Sequence, residues 1–384
     1  MVTKNAIEPR QTELMEIGQE TWDRLLPNRA EDFDYFRACA EAVPPGFEFG
    51  ARAVYLKERI VAVAPTFTAR YPVELRALTI PARIFGVGSP LSDDCPIGIA
   101  PELDAATRDS ALDALIGAKK DARRPLDFLV LKDVADAKNA VLEAVARSAD
   151  FSIVPTLPRA VFDVDFATLP DYLQRLDGNT RRYLRHAERR VGSVAIERHS
   201  SINEDQSRQL HELYCQQQRA AAVDSGIFDG LSPTFFYRIM ANKPEGTLLL
   251  TYRVEGELAG FSLSLFNNYE LVPKYVGFRQ PAGRQHRLYF INWLRLVEFS
   301  LGRGIKQITA GQYSYPTKVK LGCRLERNCV YFRHPNAFGN AITRAASRFI
   351  KFDEMDSDLA ELERNSAIDL YAATPGAPGQ MRTD

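Results

Sequence analysis

The sequence is short of cysteine. Five thiols in 384 residues, Cys39, Cys95, Cys215, Cys323 and Cys329, form no CxxC pair and no disulfide framework. An odd, scattered set of this kind reads as free thiols in a reducing compartment. The five histidines are equally dispersed, so no zinc or iron ligand set is expected. Neither sign of charge is in excess, because 49 Lys+Arg face 49 Asp+Glu. With no global basic field, a nucleic acid could be held only through a local patch. Long apolar runs are missing too: the longest, Leu288 to Phe299, is broken by Asn292, Arg295 and Glu298. It falls short of the roughly 20 residues that a membrane span needs. The first ten residues hold no apolar core of signal-peptide length, and a cytoplasmic location is expected. There is no GxSxG elbow, HExxH pair or Walker loop, and Gly86-Val-Gly88 lacks the third glycine of a dinucleotide fingerprint.

What remains is an ordinary globular composition, 45% hydrophobic and 26% charged, on a chain long enough for two domains. The stretch to about residue 45 reads as helical, clearest over Glu13 to Leu26. A hairpin follows, with arms 52–57 and 60–68 and a turn at Glu58-Arg59. Residues 86–101 are dense in Gly and Pro and read as a long loop. A helix at about 105–121 leads to the apolar strand Phe128 to Leu131, then come a helix at 136–148 and strands near 151–155 and 159–165. The second half repeats this order. A strand at 194–197 and helices at 204–222 and 234–241 precede a three-stranded meander over 247–254, 257–266 and 269–278. A helix over 286–301, apolar around most of its circumference, ends at Gly302 and Gly304. A strand at 305–309, a helical turn and a strand at 329–333 close the unit, and the tail from about Ala373 reads as disordered. Tyr55-x-x-Glu58-x-x-Val61-Ala62 lines up with Tyr252-x-x-Glu255-x-x-Leu258-Ala259 across the two hairpins, which suggests an internal duplication.

Two segments carry a family likeness. The first is Asn179 to Glu197, where Arg182, Leu184, Arg185, Ala187, Arg189 and Gly192 follow the form Arg-x-x-(Leu/Ile)-Arg-x-Ala-x-(Lys/Arg), then Gly and a strand, with Leu184 one step off the strict pattern. The second is Tyr315 to Cys323, which is similar to a Tyr-x-x-(x)-Lys-x-Gly-Phe segment with Cys323 in place of the aromatic. With them the chain resembles the FemAB-like branch of the GNAT superfamily. The resemblance implies an α/β fold of two tandem GNAT-like domains, each a mixed, mostly antiparallel sheet flanked by helices. Domains are expected at 1–165 and 166–345, the second carrying the site, with a C-terminal helix and disordered tail over 346–384.

The implied activity is N-acyl transfer from acyl-CoA to a primary amine of a small molecule, with no permanently bound cofactor. An aminoacyl-tRNA donor and a non-catalytic binding module stand as alternatives. GNAT enzymes seat the donor pyrophosphate on backbone N–H groups at a helix start. The corresponding loop here is 279–287, giving Gln280, Gly283, Arg284 and Arg287 as donor-binding residues, with Gln285 where a small residue is usual. Pro273 lies inside the preceding strand, which is tolerated only at an edge or a bulge. Lys320, in the motif's lysine position, is the lead catalytic residue, to steady the carbonyl oxygen or a phosphate, with Lys318 as its neighbour. Tyr275 and Tyr315 are proton donors to the leaving thiolate, and Glu270 or Asp224 is the base. Arg181, Arg182 and Arg185 on the arginine-rich helix present either a solvated face or a tRNA contact. The first half has no donor loop before its helix at 105–121, so a single donor site per chain is expected.

Overall fold

The computed structural model describes residues 7–75, 78–117, 127–135, 140–220, 230–348 and 356–365. Its first half opens with a strand, β1 (Ile7–Thr12), and not with a helix. The expected helix over 13–26 is two short ones, α1 (Leu14–Ile17) and α2 (Gln19–Leu25), because Gly18 between them sits at φ +77°. Helix α3 (Phe33–Glu41) starts where Asp32 accepts from the Tyr35 N–H at 3.2 Å. The antiparallel strands β2 (Phe47–Leu56), β3 (Arg59–Leu75) and β4 (Leu78–Val87) follow, then the two-residue β5 (Gly98–Ile99), α4 (Ala105–Ile116), β6 (Asp127–Ala135), α5 (Ala140–Ser148) and β7 (Ser152–Asp163).

The second half begins with α6 (Leu169–Arg175) and α7 (Gly178–Arg189), whose starts are capped by Thr168 and Asp177. Next come β8 (Ala195–His199), α8 (Glu204–Ala220), α9 (Phe235–Asn242), β9 (Thr247–Val254), β10 (Glu257–Phe266) and β11 (Glu270–Phe278). Helices α10 (Ala282–Gln285) and α11 (Leu288–Arg303) are followed by β12 (Gln307–Gly311), α12 (Tyr315–Lys320), β13 (Arg324–Arg333), α13 (Ala337–Ser347) and α14 (Ser357–Asn365). Gly304, at φ +69°, is the left-handed cap of α11.

Thirteen strands make one sheet in the order β1-β2-β3-β4-β6-β13-β7-β12-β11-β10-β9-β8, with β5 beside β3. The order is nearly palindromic. Each half runs antiparallel and then ends in one parallel pair, β4 with β6 and β11 with β12. The closing strands are exchanged: β7, from the first half, lies on β12, while β13, from the second, lies on β6, and the two pair with each other in the middle. The duplication is therefore in the topology. The aligned tyrosines and glutamates are not equivalent, because the first turn is Lys57-Glu58 and the second Glu255-Gly256, one step out of register.

One core lies between the halves. Trp22, Tyr35 and Phe36 share it with Phe235, Phe236, Phe261 and Tyr275. A second, on the other face of the later strands, packs Leu184, Trp293 and Leu294 around Phe162 and Tyr172.

Candidate active site

Strands β11 and β12 pair only at Glu270–Gln307 and Leu271–Ile308 and then part. From Val272 to Phe278, no strand among the described residues pairs with that edge of β11, so its backbone groups face an open wedge. Beside the wedge the β10–β11 register slips: Leu263 faces Tyr275 and Ser264 faces Pro273, which leaves Lys274 as an unpaired bulge residue. Pro273 thus sits next to a bulge inside a central strand, where a missing N–H is tolerated. In the first half the equivalent strands stay together for five residues, Arg83–Asp127 through Val87–Leu131, at the end of β4. No wedge opens there.

A cleft of about 210 Å³ lies against the wedge and takes walls from both halves. Glu270, Val272 and Lys274 of β11 and Gln307 and Thr309 of β12 form one side. The segment 27–31 and the acidic pair Asp93 and Asp94 form the other. The cleft's cations are already engaged. Lys274 Nζ meets Glu31 at 2.6 Å and the Leu91 carbonyl at 2.6 Å; burial disfavours its charge, but Glu31 and Asp93 outweigh that and raise its pKa. Arg29 holds Asp94 at 2.6 Å, and Arg159 holds Glu326 at 2.7 Å. Two carboxylates are left over. Glu270 accepts the Ala30 N–H at 3.1 Å and has no ion pair among the described residues. Asp93 has neither an ion pair nor a side-chain hydrogen bond there, although Lys132, Lys274 and Lys318 lie within electrostatic reach. Its carboxylate stands over Gly311, at φ +69°, so closely that a Cβ there would lie 2.8 Å from Oδ2.

Beneath this point Lys318 is buried and donates Nζ to the carbonyls of Gln312 at 2.6 Å and Gly311 at 3.2 Å. Desolvation pushes its pKa down to about 8, against a partial pull upward from Cys323 and Asp93. Lysine 320, the lead catalytic residue in the sequence reading, is not in the cleft. It is exposed at the end of the six-residue α12. Two positions along a helix turn a side chain by about 200°, so Lys318 and Lys320 cannot face the same way.

Neither the Tyr275 nor the Tyr315 side chain lines the cleft. Tyr275 packs among Tyr214, Phe235 and Phe236 with its hydroxyl 3.2 Å from that of Tyr35, and burial drives its pKa well above the ordinary range. Tyr315 is fully buried and donates to the Pro158 carbonyl at 2.8 Å, with its pKa raised by the same cause. Of Lys320, Tyr275, Tyr315 and Glu270, only Glu270 lines the cleft. Asp224 lies outside the described residues.

The loop expected to seat the donor, 279–287, is a closed turn. Gly283 N–H donates to Arg279 O, Arg284 and Gln285 N–H to Pro281 O, His286 N–H to Ala282 O, and Arg287 N–H to Arg284 O. Gly283 is required by packing, because a Cβ would lie 2.9 Å from Phe278 Cβ. Gln280 Oε1 accepts from Arg284 N–H at 3.3 Å, and both side chains are exposed. Arg287 stacks on Tyr183 of α7 at 3.8 Å, Tyr183 meets Phe290 edge-on, and Arg190 reaches the Gln285 carbonyl at 2.5 Å. The loop and α7 thus form one basic surface, with Leu184 and Ala187 turned into the core, Arg181 partly covered and Arg182, Arg185 and Arg189 exposed.

Asp93 and Lys318 are what the sequence reading missed or ranked second. Asp93 belongs to an acidic pair inside a Gly/Pro-rich loop, and the Gly311 backbone it stands over lies in the other half of the chain.

Residues 175–318 match the family model described as an acetyltransferase (GNAT) domain. The fold is similar to that of FemX, with a TM-score of 0.55 at 11% identity over 84% of this chain and 96% of FemX. It is similar too to a tandem GNAT protein from the clavulanic acid biosynthesis pathway, at 0.51 and 13% identity over 86% of this chain and 99% of that one. The C-terminal domain of a putative lysylphosphatidylglycerol synthetase from Agrobacterium fabrum gives 0.50 and 12% over 84% and 94%. No curated protein matches the chain by sequence. No described helix is long and apolar enough to cross a membrane.

Proposed function

We propose that the chain, whose residues 175–318 match a GNAT acetyltransferase domain model and whose fold is similar to that of a tandem GNAT protein, transfers an acyl group to the primary amine of a small molecule in the cleft between its halves. The observation that carries this reading is the parting of β11 and β12 beside two carboxylates, Asp93 and Glu270, that no cation neutralises by contact. An acceptor arriving as an ammonium is attracted there; one carboxylate first removes a proton to free the nitrogen lone pair, the nitrogen attacks the acyl carbon, and the second proton it sheds passes by way of the other carboxylate to the leaving group. The tetrahedral oxyanion is met by N–H groups on the unpaired edge of β11. The amide forms as the donor's thiolate or ribose oxygen leaves and is protonated. Lys318, held on two carbonyls at the end of β12, is a positioning residue that fixes this end of the strand beside Asp93.

The charge inventory also narrows the acceptor. With Arg29, Arg159 and Lys274 all engaged, no free cation among the described residues of the cleft greets a carboxylate. Neutral or additionally cationic amines, such as diamines, are preferred over amino acids. The first half supplies a wall of this cleft and no donor wedge, so one donor is bound per chain.

Acyl-CoA is the donor that a GNAT domain implies. A specific observation favours the second reading, aminoacyl-tRNA: the loop amides of 283–287 are bonded within their own turn, while Arg182, Arg185, Arg189, Arg284 and Arg287 flank them. The test is thermal unfolding with coenzyme A, acyl-CoAs and charged tRNA in turn, since a ligand of the native state raises stability by mass action. In the tRNA case Arg181→Glu, Arg182→Glu and Arg185→Glu together abolish the stabilisation and lower the salt slope by roughly 2 to 3 units; in the CoA case they leave it within about twofold in affinity. No stabilisation by any donor would favour a non-catalytic module.

A further inference from the structure

Helix α13 wears its amphipathic pattern inside out. Phe338, Ala341, Ile342 and Ala345 follow the i, i+3, i+4, i+7 spacing of a single helix face. All four are exposed, Phe338 at 76% and Ile342 at 56%. The opposite face holds the helix to the body. Asn340 is buried, donating to the Asp150 carbonyl at 2.9 Å and accepting the His334 N–H at 3.1 Å. Gly339 lets the helix close on the His334 ring, which a Cβ would meet at 2.3 Å, and Arg344 pairs with Asp150 at 2.7 Å. Asn336 caps the start. This is a firmly docked helix with its apolar ridge directed at solvent, the reverse of a core-facing helix.

The sequence around the ridge is biased to cations, and the exposed carboxylate that α13 meets, Asp150, is paired with Arg344. From Arg327 to Phe352 the sequence contains no Asp or Glu and five Arg or Lys, and Arg348 is exposed at the end of α13. The ridge is also narrow. Two large side chains one helical turn apart present far less than the roughly 800 Å² per partner that a stable protein interface buries. A short apolar ridge flanked by cations suits shallow insertion at the boundary between lipid headgroups and acyl chains, where area and attraction to anionic lipid add.

We propose that α13 docks the protein reversibly on an anionic lipid surface, Phe338 and Ile342 entering the interface and the neighbouring arginines meeting lipid phosphates. This stands independently of the acyl-transfer reading. The test is co-sedimentation of the full chain with phosphatidylcholine vesicles, with and without roughly one-third phosphatidylglycerol. Binding is expected only with the anionic lipid, and Phe338→Ser with Ile342→Ser should weaken it by about tenfold or more at an unchanged thermal midpoint. Arg348→Glu should weaken it at low salt. Absence of binding to anionic vesicles, or equal binding by the double variant, would overturn the proposal. So would a concentration-dependent dimer that the double variant abolishes, which would make a second copy the occupant. In Phe338→Trp, added indole emission already blue-shifted without vesicles would mean that the chain itself covers the ridge, with the same consequence.

Discussion

At the scale of single residues, the account rests on which lysine of α12 faces inward. A sequence motif sets Lys318 and Lys320 side by side, and only the rotation of a helix separates them. Lys318→Met should lower the saturated acylation rate by at least about tenfold, while Lys320→Met leaves it within about twofold. The stability of the same variant carries a pH signature. The folded-state pKa of Lys318 lies near 8, below its ordinary 10.5, so above pH 8 the unfolded chain binds more protons than the native one. Wild type should therefore gain stability relative to Lys318→Met as pH rises from 8 to about 10.5, by on the order of 3 kcal/mol. Parallel denaturant melts of the two proteins across that range measure it, and a flat difference would place the lysine in a wetter setting. The motif drew attention to this hexapeptide. It could not decide between the two ammonium groups, because that depends on how α12 lies against β12.

Among the elements, the wedge between β11 and β12 is what distinguishes the second half from the first. Its ingredients were legible in part: Pro273 in mid-strand implied a bulge, and the apolar helix capped by Gly304 was readable from period and punctuation. The cleft's far wall was not, because Asp93 stands some 180 residues before β11 in a loop without periodicity. Gly311 couples the two walls. It combines a positive φ with an Asp93 carboxylate placed where a Cβ would collide with it, so Gly311→Ala should displace Asp93 and reduce the rate by about tenfold or more. The strained backbone should cost about 1 kcal/mol in stability. Matched kinetics and melts check both figures. An unaffected rate would show that Asp93 need not stand where it does.

For the whole molecule, the exchange of β7 and β13 makes each half depend on the other. Each half's parallel pair is flanked by a strand from the opposite half. The core joining Tyr35 and Phe36 to Phe235 and Phe236 crosses the same junction. Residues 1–165 and 166–384, expressed separately, should be unfolded or aggregated, and the intact chain should melt in a single transition seen identically by calorimetry and circular dichroism. Much of the element order was legible, since the hydrophobic periods of strands and helices are local properties, but β1, β4 and β5 of the first half were not read. The strand exchange was not, because nothing local distinguishes a strand that closes its own half from one that closes the other. The claim that this junction is where acyl transfer occurs is tested most directly by following amide formation with mass spectrometry. Wild type and Asp93→Asn/Glu270→Gln would be compared at saturating acyl-CoA or aminoacyl-tRNA with a panel of diamines and amino acids. The account predicts amide product for wild type, best with diamines, and a rate lower by about a hundredfold or more in the variant, at unchanged donor affinity. Equal rates for the two proteins would contradict it.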